Sequence, residues 1–218
     1  SGSSLDSNSQ PLLAITDAGV KFALAAYVDL HGRIKGKCVP IEHLDQMMKG
    51  SELYTGAALD GVPQDISDDE VAAMPDGARA IVLPWSPEIA WFPSDLYLRG
   101  EPFSADSRGI LKRQVAAAYD MGYIFQTGIE PEFYVFRNTP NGAVPTSERD
   151  TLAKPCYDVV GLLDSFPYVR EIVDAMNGLG WDVYSFDHED GNGQFEIDFT
   201  YADAITTADR ITFLKMMV

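Results

Sequence analysis

Apolar positions along the chain recur with a period of two in some stretches and of three to four in others, and the changes of period predict the elements. Residues 20–30 are almost continuously apolar and predict a strand, or a helical lead-in running into one. His31-Gly32-Arg33 reads as a turn, and residues 34–39 as the returning strand of a hairpin. Leu44, Met47 and Met48 share a helical face over residues 41–49, and Gly50 is the stop. Residues 55–70 have the glycine-rich, acidic composition of a solvated loop. Short strands are expected over 80–84, 89–92 and 96–98, the second ending at Pro93. Ile110, Leu111, Gln114, Val115 and Tyr119 predict an amphipathic helix, capped by Ser104 or Asp106 and ended by Gly122. Residues 137–157 read as a long polar loop, in which 146–149 have no evident local partner. Residues 168–179 predict a further helix before Gly180, and Ile205, Ala208, Ile211, Leu214 and Met217 stripe a last one over 202–218. That helix ends on Lys-Met-Met-Val without a stop signal, as expected of a chain that breaks off inside its fold. Residues 1–13 are small and polar and are expected to form a flexible leader. Trp85, Trp91 and Trp181 are expected to pack rather than to stack on a ligand.

Two stretches carry period-two alternation with acids on one side. In Gly128-Ile-Glu-Pro-Glu-Phe-Tyr-Val-Phe136, Glu130 and Glu132 point to the same side of a strand, with Cα atoms about 6.5–7 Å apart. Pro131 cannot donate to a ladder and places this strand at an edge or bulge. Downstream, Asp187-His-Glu-Asp-Gly-Asn-Gly-Gln-Phe-Glu-Ile-Asp-Phe199 alternates Phe195, Ile197 and Phe199 with Glu196 and Asp198, after a tight turn or bulge at Gly191 and Gly193. An isolated Glu-x-Glu is best read as the wet face of an amphipathic strand. A second acidic strand changes that balance, because carboxylates gathered on an apolar wall need protons or cations to be tolerated. Carboxylate oxygens suit Mg²⁺ or Mn²⁺. Three scattered histidines and two cysteines, Cys38 and Cys156, form no zinc pattern.

Composition narrows the partners. The chain has 218 residues, 46% of them hydrophobic, and a net charge of −17 from 16 basic and 33 acidic residues. Nucleic acid and anionic membranes both require basic patches and are excluded as partners. No run of about 18 apolar residues is present to span a membrane. Two cysteines make no disulfide scaffold, so a reducing, cytoplasmic setting is the default.

Gly-x-Glu-Pro-Glu-Phe followed by His-Glu-x-x-x-x-Gln-x-Glu resembles the glutamine synthetase family, and Met74-Pro75-Asp76 fits a further motif upstream. The resemblance runs from about Val20 to the end of the chain. It implies an α+β protein: a leader over 1–13, a small β-grasp-like N-terminal domain over 14–103, and over 104–218 the first part of a glutamine synthetase-type catalytic domain, an antiparallel sheet with helices. It further implies that Glu132, Glu189 and Glu196 hold one Mg²⁺ or Mn²⁺ and Glu130 a second, and that Tyr201 lies near the adenine of ATP. The family reaction uses ATP to convert the γ-carboxylate of glutamate into an acyl phosphate, which an amine then attacks.

Departures from the family pattern point to the amine. Thr55-Gly56-Ala57-Ala58 stands where the family's ammonium loop reads Asp-Gly-Ser-Ser, and Asp60 is offset from the missing acid. The amine-site loop, with Thr55, Ala58 and Asp60, is therefore less polar, which suits methylamine and resembles the γ-glutamylmethylamide synthetase branch. Ammonia, a polyamine, or a non-catalytic assembly module remain the alternatives, as does a plain acidic domain whose carboxylates all face water. Tyr184 replaces a glutamate that contacts nucleotide in the family. The glutamate-binding arginines and further metal ligands of the family fall beyond residue 218, so the chain alone is expected to lack ligase activity. A homo-oligomeric ring is the family's assembly.

Overall fold

The structure, a computed structural model, describes residues 9–218. It separates into two compact units, Ser1–Ile124 and Phe125–Val218. In the first, α1 (Ser9–Asp17) precedes β1 (Phe22–Val28). Of the expected leader, residues 9–13 thus open a helix, and residues 1–8 lie outside the described residues. β1 pairs antiparallel with β2 (Ile34–Pro40), from Phe22 opposite Pro40 to Val28 opposite Ile34. Buried Asp29 closes the hairpin by accepting from the His31 and Arg33 backbone N–H groups at 2.9 and 2.8 Å. A 3₁₀ turn (Ile41–His43) and α2 (Leu44–Met48) follow, burying Leu44 and Met47.

β3 (Leu53–Tyr54), β4 (Val71–Pro75), β5 (Ile81–Leu83), β6 (Ser86–Leu98) and β7 (Glu101–Pro102) complete a sheet of order β2-β1-β6-β4-β3, with β5 and β7 also paired to β6. Only β1 and β6 run parallel. Tyr27, Met47, Val71, Phe92 and Leu96 are core residues of this unit. The two strands expected around Pro93 are one continuous strand. Pro93 stands where β6 changes partner, from β5 as far as Trp91 to β4 from Ser94, a place in the ladder where a missing donor costs little. β3 went unread in the sequence because it is only two residues long, and β4 because Ala72, Ala73 and Pro75 carry little strand signal.

α3 (Ser107–Asp120) is capped by Asp106, which accepts from the Gly109 N–H at 2.8 Å. Its expected apolar stripe is not its anchor: Ile110 and Tyr119 are exposed, and Arg108 is its one buried residue. The Arg108 guanidinium donates to Asp95 at 2.7 Å and to Asp76 of the Met-Pro-Asp motif at 3.1 Å, and Lys112 also binds Asp95. Charge and a cap hold this helix where the pattern predicted packing. Arg108→Ala removes the buried cation shared by both carboxylates, leaving Asp95 to Lys112 and Asp76 to Arg79, and is expected to lower stability by about 2 kcal/mol. Lys112→Ala, at a partly exposed pair, is expected to cost less than about 1 kcal/mol. Urea midpoints of the two variants check the contrast.

The second unit contains β8 (Gln126–Thr127), β9 (Glu132–Tyr134), β10 (Phe136–Thr139), β11 (Gly142–Pro145), α4 (Val159–Gly178), β12 (Val183–His188), β13 (Gln194–Phe199), β14 (Ala202–Asp203) and α5 (Ala204–Met217). β12, β13 and β9 form an antiparallel sheet in that order, β10 pairs with β11, and β14 with β8. One face of β13 buries Phe195, Ile197 and Phe199, and Trp181 packs on Phe199 and Phe213 at ring distances of 5.7 and 6.0 Å.

The polar stretch 137–157 is not simply a loop. It contains the β10–β11 hairpin turning at Pro140-Asn141, with Gly142, opposite Thr139, opening the return strand at φ +112°. Residues 146–149 find their partner on α4: Thr146 meets Ser165 at 2.7 Å, Ser147 donates to Asp164 at 2.6 Å, and Arg149 forks onto the same carboxylate. α4 starts nine residues earlier than its sequence pattern indicated, with Asp158 capping the Gly161 N–H at 2.7 Å. Internal Pro167 lacks the donor a helix interior uses, which hid the continuity in the sequence.

Candidate functional site

The acids are placed by strand register. Glu132 on β9 lies opposite Glu196 on β13, which lies opposite Asp187 on β12, a row of three carboxylates across the sheet. Asp198, two residues along β13, belongs to the same face, opposite Ser185. Pairing continues past β9, the Ile197 N–H donating to the Pro131 carbonyl at 3.3 Å, and brings Glu130 toward Asp198. Pro131 sits at the sheet edge, as its missing donor requires. The opposite face of β13 is fully apolar, so an acid face on this strand is the other half of one amphipathic pattern.

Carboxylate donor atoms of Asp187, Glu196 and Asp198 lie within 4.8 Å of one another. Burial, then the charges of Asp198, Glu189, Asp187 and Glu130, push the Glu196 carboxyl up to about 7. Asp198 is raised by burial and then by Glu130 and Asp187, and Asp187 by burial and then by Glu189. Asp187 Oδ2 and Asp198 Oδ1 are buried with no hydrogen-bond partner. Among the described residues no lysine or arginine pairs with any of these acids. An all-oxygen donor set with orphaned buried oxygens and no counter-charge fits a hard divalent cation.

Glu132 and Glu189 are tied in by one residue, Gln194. Its Nε2 donates to Glu132 Oε2 at 2.5 Å, and its carbonyl accepts the Glu189 N–H at 2.9 Å. Glu189 also groups with Cys156 and Asp190, again with donor atoms within 4.8 Å. Under this corner lies buried His188, between the Glu189 carbonyl and Asp150 Oδ2, both at 2.7 Å. Asp150 accepts as well from Gly193 N at 2.6 Å and Asn192 Nδ2 at 2.9 Å. Burial alone would raise the Asp150 carboxyl, but these hydrogen bonds together hold it below the usual range.

Glu130 also borders a groove of about 510 Å³ lined by Gly128, Ile129, Tyr184, Phe199, Thr200 and Tyr201. Tyr184 and Tyr201 are both largely exposed. Thr55, Ala58 and Asp60 belong to the first unit. There Ala58 is exposed, Thr55 donates to Glu70 at 3.4 Å, and Asp60 pairs with His31 at 2.8 Å. Of the three tryptophans, Trp91 and Trp181 are buried, whereas Trp85 is half-exposed. The sequence reading passed over Asp187 and Asp198 as site residues. The signal was present: both continue the period-two acid pattern through Glu189 and Glu196.

A family profile, "Glutamine synthetase, catalytic domain", matches residues 104–218. The glutamate–methylamine ligase of Methyloversatilis universalis is 38% identical over 198 residues, covering 90% of this chain and 45% of that protein. A glutamine synthetase of Rhizobium meliloti is 38% identical over 204 residues, covering 93% and 46%. A solved GmaS/ADP complex superposes with a TM-score of 0.88 at 35% identity, over 94% of this chain and 47% of that one. The glutamine synthetase of Plasmodium falciparum shares the fold, with a TM-score of 0.74 at 17% identity over 98% and 48%. The chain thus spans about half the length of the relatives it matches. With more than half of its residues inside the catalytic-domain profile, and with the acid-bearing strands among them, the chain belongs to the glutamine synthetase family.

Proposed function

We propose that the protein to which this chain contributes is an ATP-dependent ligase that joins an amine, methylamine in the first instance, to the γ-carboxylate of glutamate through a γ-glutamyl phosphate. The observation that carries this reading is the acid face beside a tyrosine-lined groove. By the family resemblance Glu132, Glu189 and Glu196 would hold one Mg²⁺ or Mn²⁺ and Glu130 a second toward the groove, where Tyr201 would meet the adenine of ATP; in the structure the Glu196 oxygens cluster with Asp187 and Asp198, and Glu189 with Cys156 and Asp190. Such cations neutralise phosphoryl oxygens and hold two anions in line. What the chain's residues do is gather carboxylates on one sheet face, and the cations they would hold supply the positive charge that two anionic substrates need beside a chain of net charge −17.

The similarity to a glutamate–methylamine ligase supports methylamine, as does the loop of Thr55, Ala58 and Asp60, which presents methyl groups where the family places hydroxyls. The mixed sheet with its parallel β1–β6 pair supports a β-grasp-like N-terminal domain, with the family's catalytic domain beginning near residue 104. The free Cys38 and Cys156 suit a reducing cytoplasm, and a homo-oligomeric ring is the proposed assembly. Among the described residues no helix is long and apolar enough to cross a membrane.

The test is ADP release by a protein of the relatives' full length, assayed with glutamate and a panel of methylamine, ammonia and polyamines. Methylamine should give the highest kcat/KM. A preference for ammonia by tenfold or more would sink the methylamine assignment, and absence of ADP release with every amine would sink the ligase reading. The 218-residue chain alone is expected to release no ADP, and measurable turnover by it would refute that.

A further inference from the structure

We propose that Gln194 is a positioning residue for the cation site: it locks the Glu132 carboxylate so that a single oxygen faces the acid row, and it ties that glutamate to Glu189. The inference rests on the metal reading above and adds a residue that touches no substrate. The orientation of the Gln194 amide is settled by its partners. Its Oε1 accepts from the Gly191 backbone N–H at 2.8 Å, a group that can only donate, and from the Tyr134 hydroxyl at 3.1 Å. The NH₂ group must then turn to Glu132 Oε2, where the 2.5 Å contact lies. Among the described residues Glu132 Oε1 has no protein donor, and it is the oxygen left for a cation.

The lock is itself held. The Tyr134 ring stacks on Phe136 at 5.4 Å and 20° between planes. Gly191 supplies the space the lock needs: a Cβ there would stand 2.6 Å from the Tyr134 hydroxyl and 3.0 Å from Gln194 Oε1. The Gln194 backbone closes the turn by donating to the Gly191 carbonyl at 2.9 Å while accepting from Glu189 at the same distance. One residue thereby connects Glu132 and Glu189, proposed ligands from opposite edges of the sheet. Glu132 is otherwise exposed, and an unrestrained glutamate would lose rotamer freedom each time it bound a cation. Holding it in advance removes that cost, as partners of metal ligands do elsewhere.

The experiment is Mn²⁺ titration of the full chain, read by electron paramagnetic resonance of free and bound Mn²⁺, with melting in EDTA as the control. Gln194→Met is expected to weaken Mn²⁺ binding roughly tenfold and to alter the line shape of bound Mn²⁺. Tyr134→Phe, which keeps the ring and removes the hydroxyl, should weaken it by a smaller factor. Both should leave the metal-free melting temperature close to that of the unsubstituted chain. Unchanged affinity in Gln194→Met overturns the proposal. So does an affinity loss that only follows a fall in metal-free melting temperature, which would make the residue structural. If Gln194→Met does not fold, Tyr134→Phe decides by the same two readings. No Mn²⁺ binding by the unsubstituted chain would instead overturn the metal reading itself, and this inference with it.

Discussion

Replacing Glu196 by glutamine is expected to raise the metal-free melting temperature at pH 8 and to abolish stabilisation by Mg²⁺ or Mn²⁺. Both effects come from one cause. Burial and neighbouring acids raise the Glu196 carboxyl from 4.5 to about 7 in the folded chain. Between those values the folded state binds the extra proton, so stability falls as pH rises, and the full penalty is present above pH 7. A tenfold change in proton affinity corresponds to about 1.4 kcal/mol. With solvent screening of a partly exposed site, the penalty is on the order of 1–2 kcal/mol. Glutamine removes the charge and gains that amount, roughly 2–8 °C in melting temperature for a chain of this size. In the unsubstituted chain, a cation bound at a hundredfold excess over its Kd should add about 2.7 kcal/mol at pH 8. That addition should shrink toward pH 5, where protons compete for the site. Melting curves at pH 5 and pH 8, with EDTA and with Mg²⁺, read all of this. A metal-free chain as stable at pH 8 as at pH 5 would contradict the crowding of acids on this face.

Asp150→Ala is expected to be the most destabilising single substitution, by about 3–5 kcal/mol. The side chain is buried and accepts from His188, Gly193 and Asn192. Its loss leaves the buried His188 Nε2 and the Gly193 N–H without a partner, and each such group carries its own desolvation cost. The Asp150 carboxyl is held below its ordinary value, so its contribution is present above the unfolded pKa and is lost as pH falls through the folded one. The acid limb of the stability curve should therefore flatten in the variant. Arg149→Ala, one residue away, removes an exposed fork onto Asp164 and should cost no more than about 1 kcal/mol. Denaturant midpoints of the two variants, measured between pH 3 and pH 7, compare them directly. Equal midpoints would show that the His188–Asp150 pair does not anchor the turn under Glu189.

Period-two alternation in residues 194–199 was sufficient to read β13 and its acid face, because a strand has only two faces and one of them must be buried. The β1–β2 hairpin, α3 and α5 followed equally from local pattern and from glycine and cap signals. Local pattern misled where partners are distant or where proline masks continuity. β6 runs through Pro93, α4 runs through Pro167, and residues 146–149 answer to a helix well downstream. The buried Asp150–His188 pair spans 38 positions, and no spacing rule announces it.

Along the chain, then, the residues themselves specified which side chains are acids and which share a strand face, since alternation is a property of one strand. Which acids stand side by side was decided only by the pairing of β9 with β13 and of β13 with β12. Register between strands is set by contacts far apart in the chain, and a shift of one residue would have turned Glu196 into the apolar core and Phe195 to solvent.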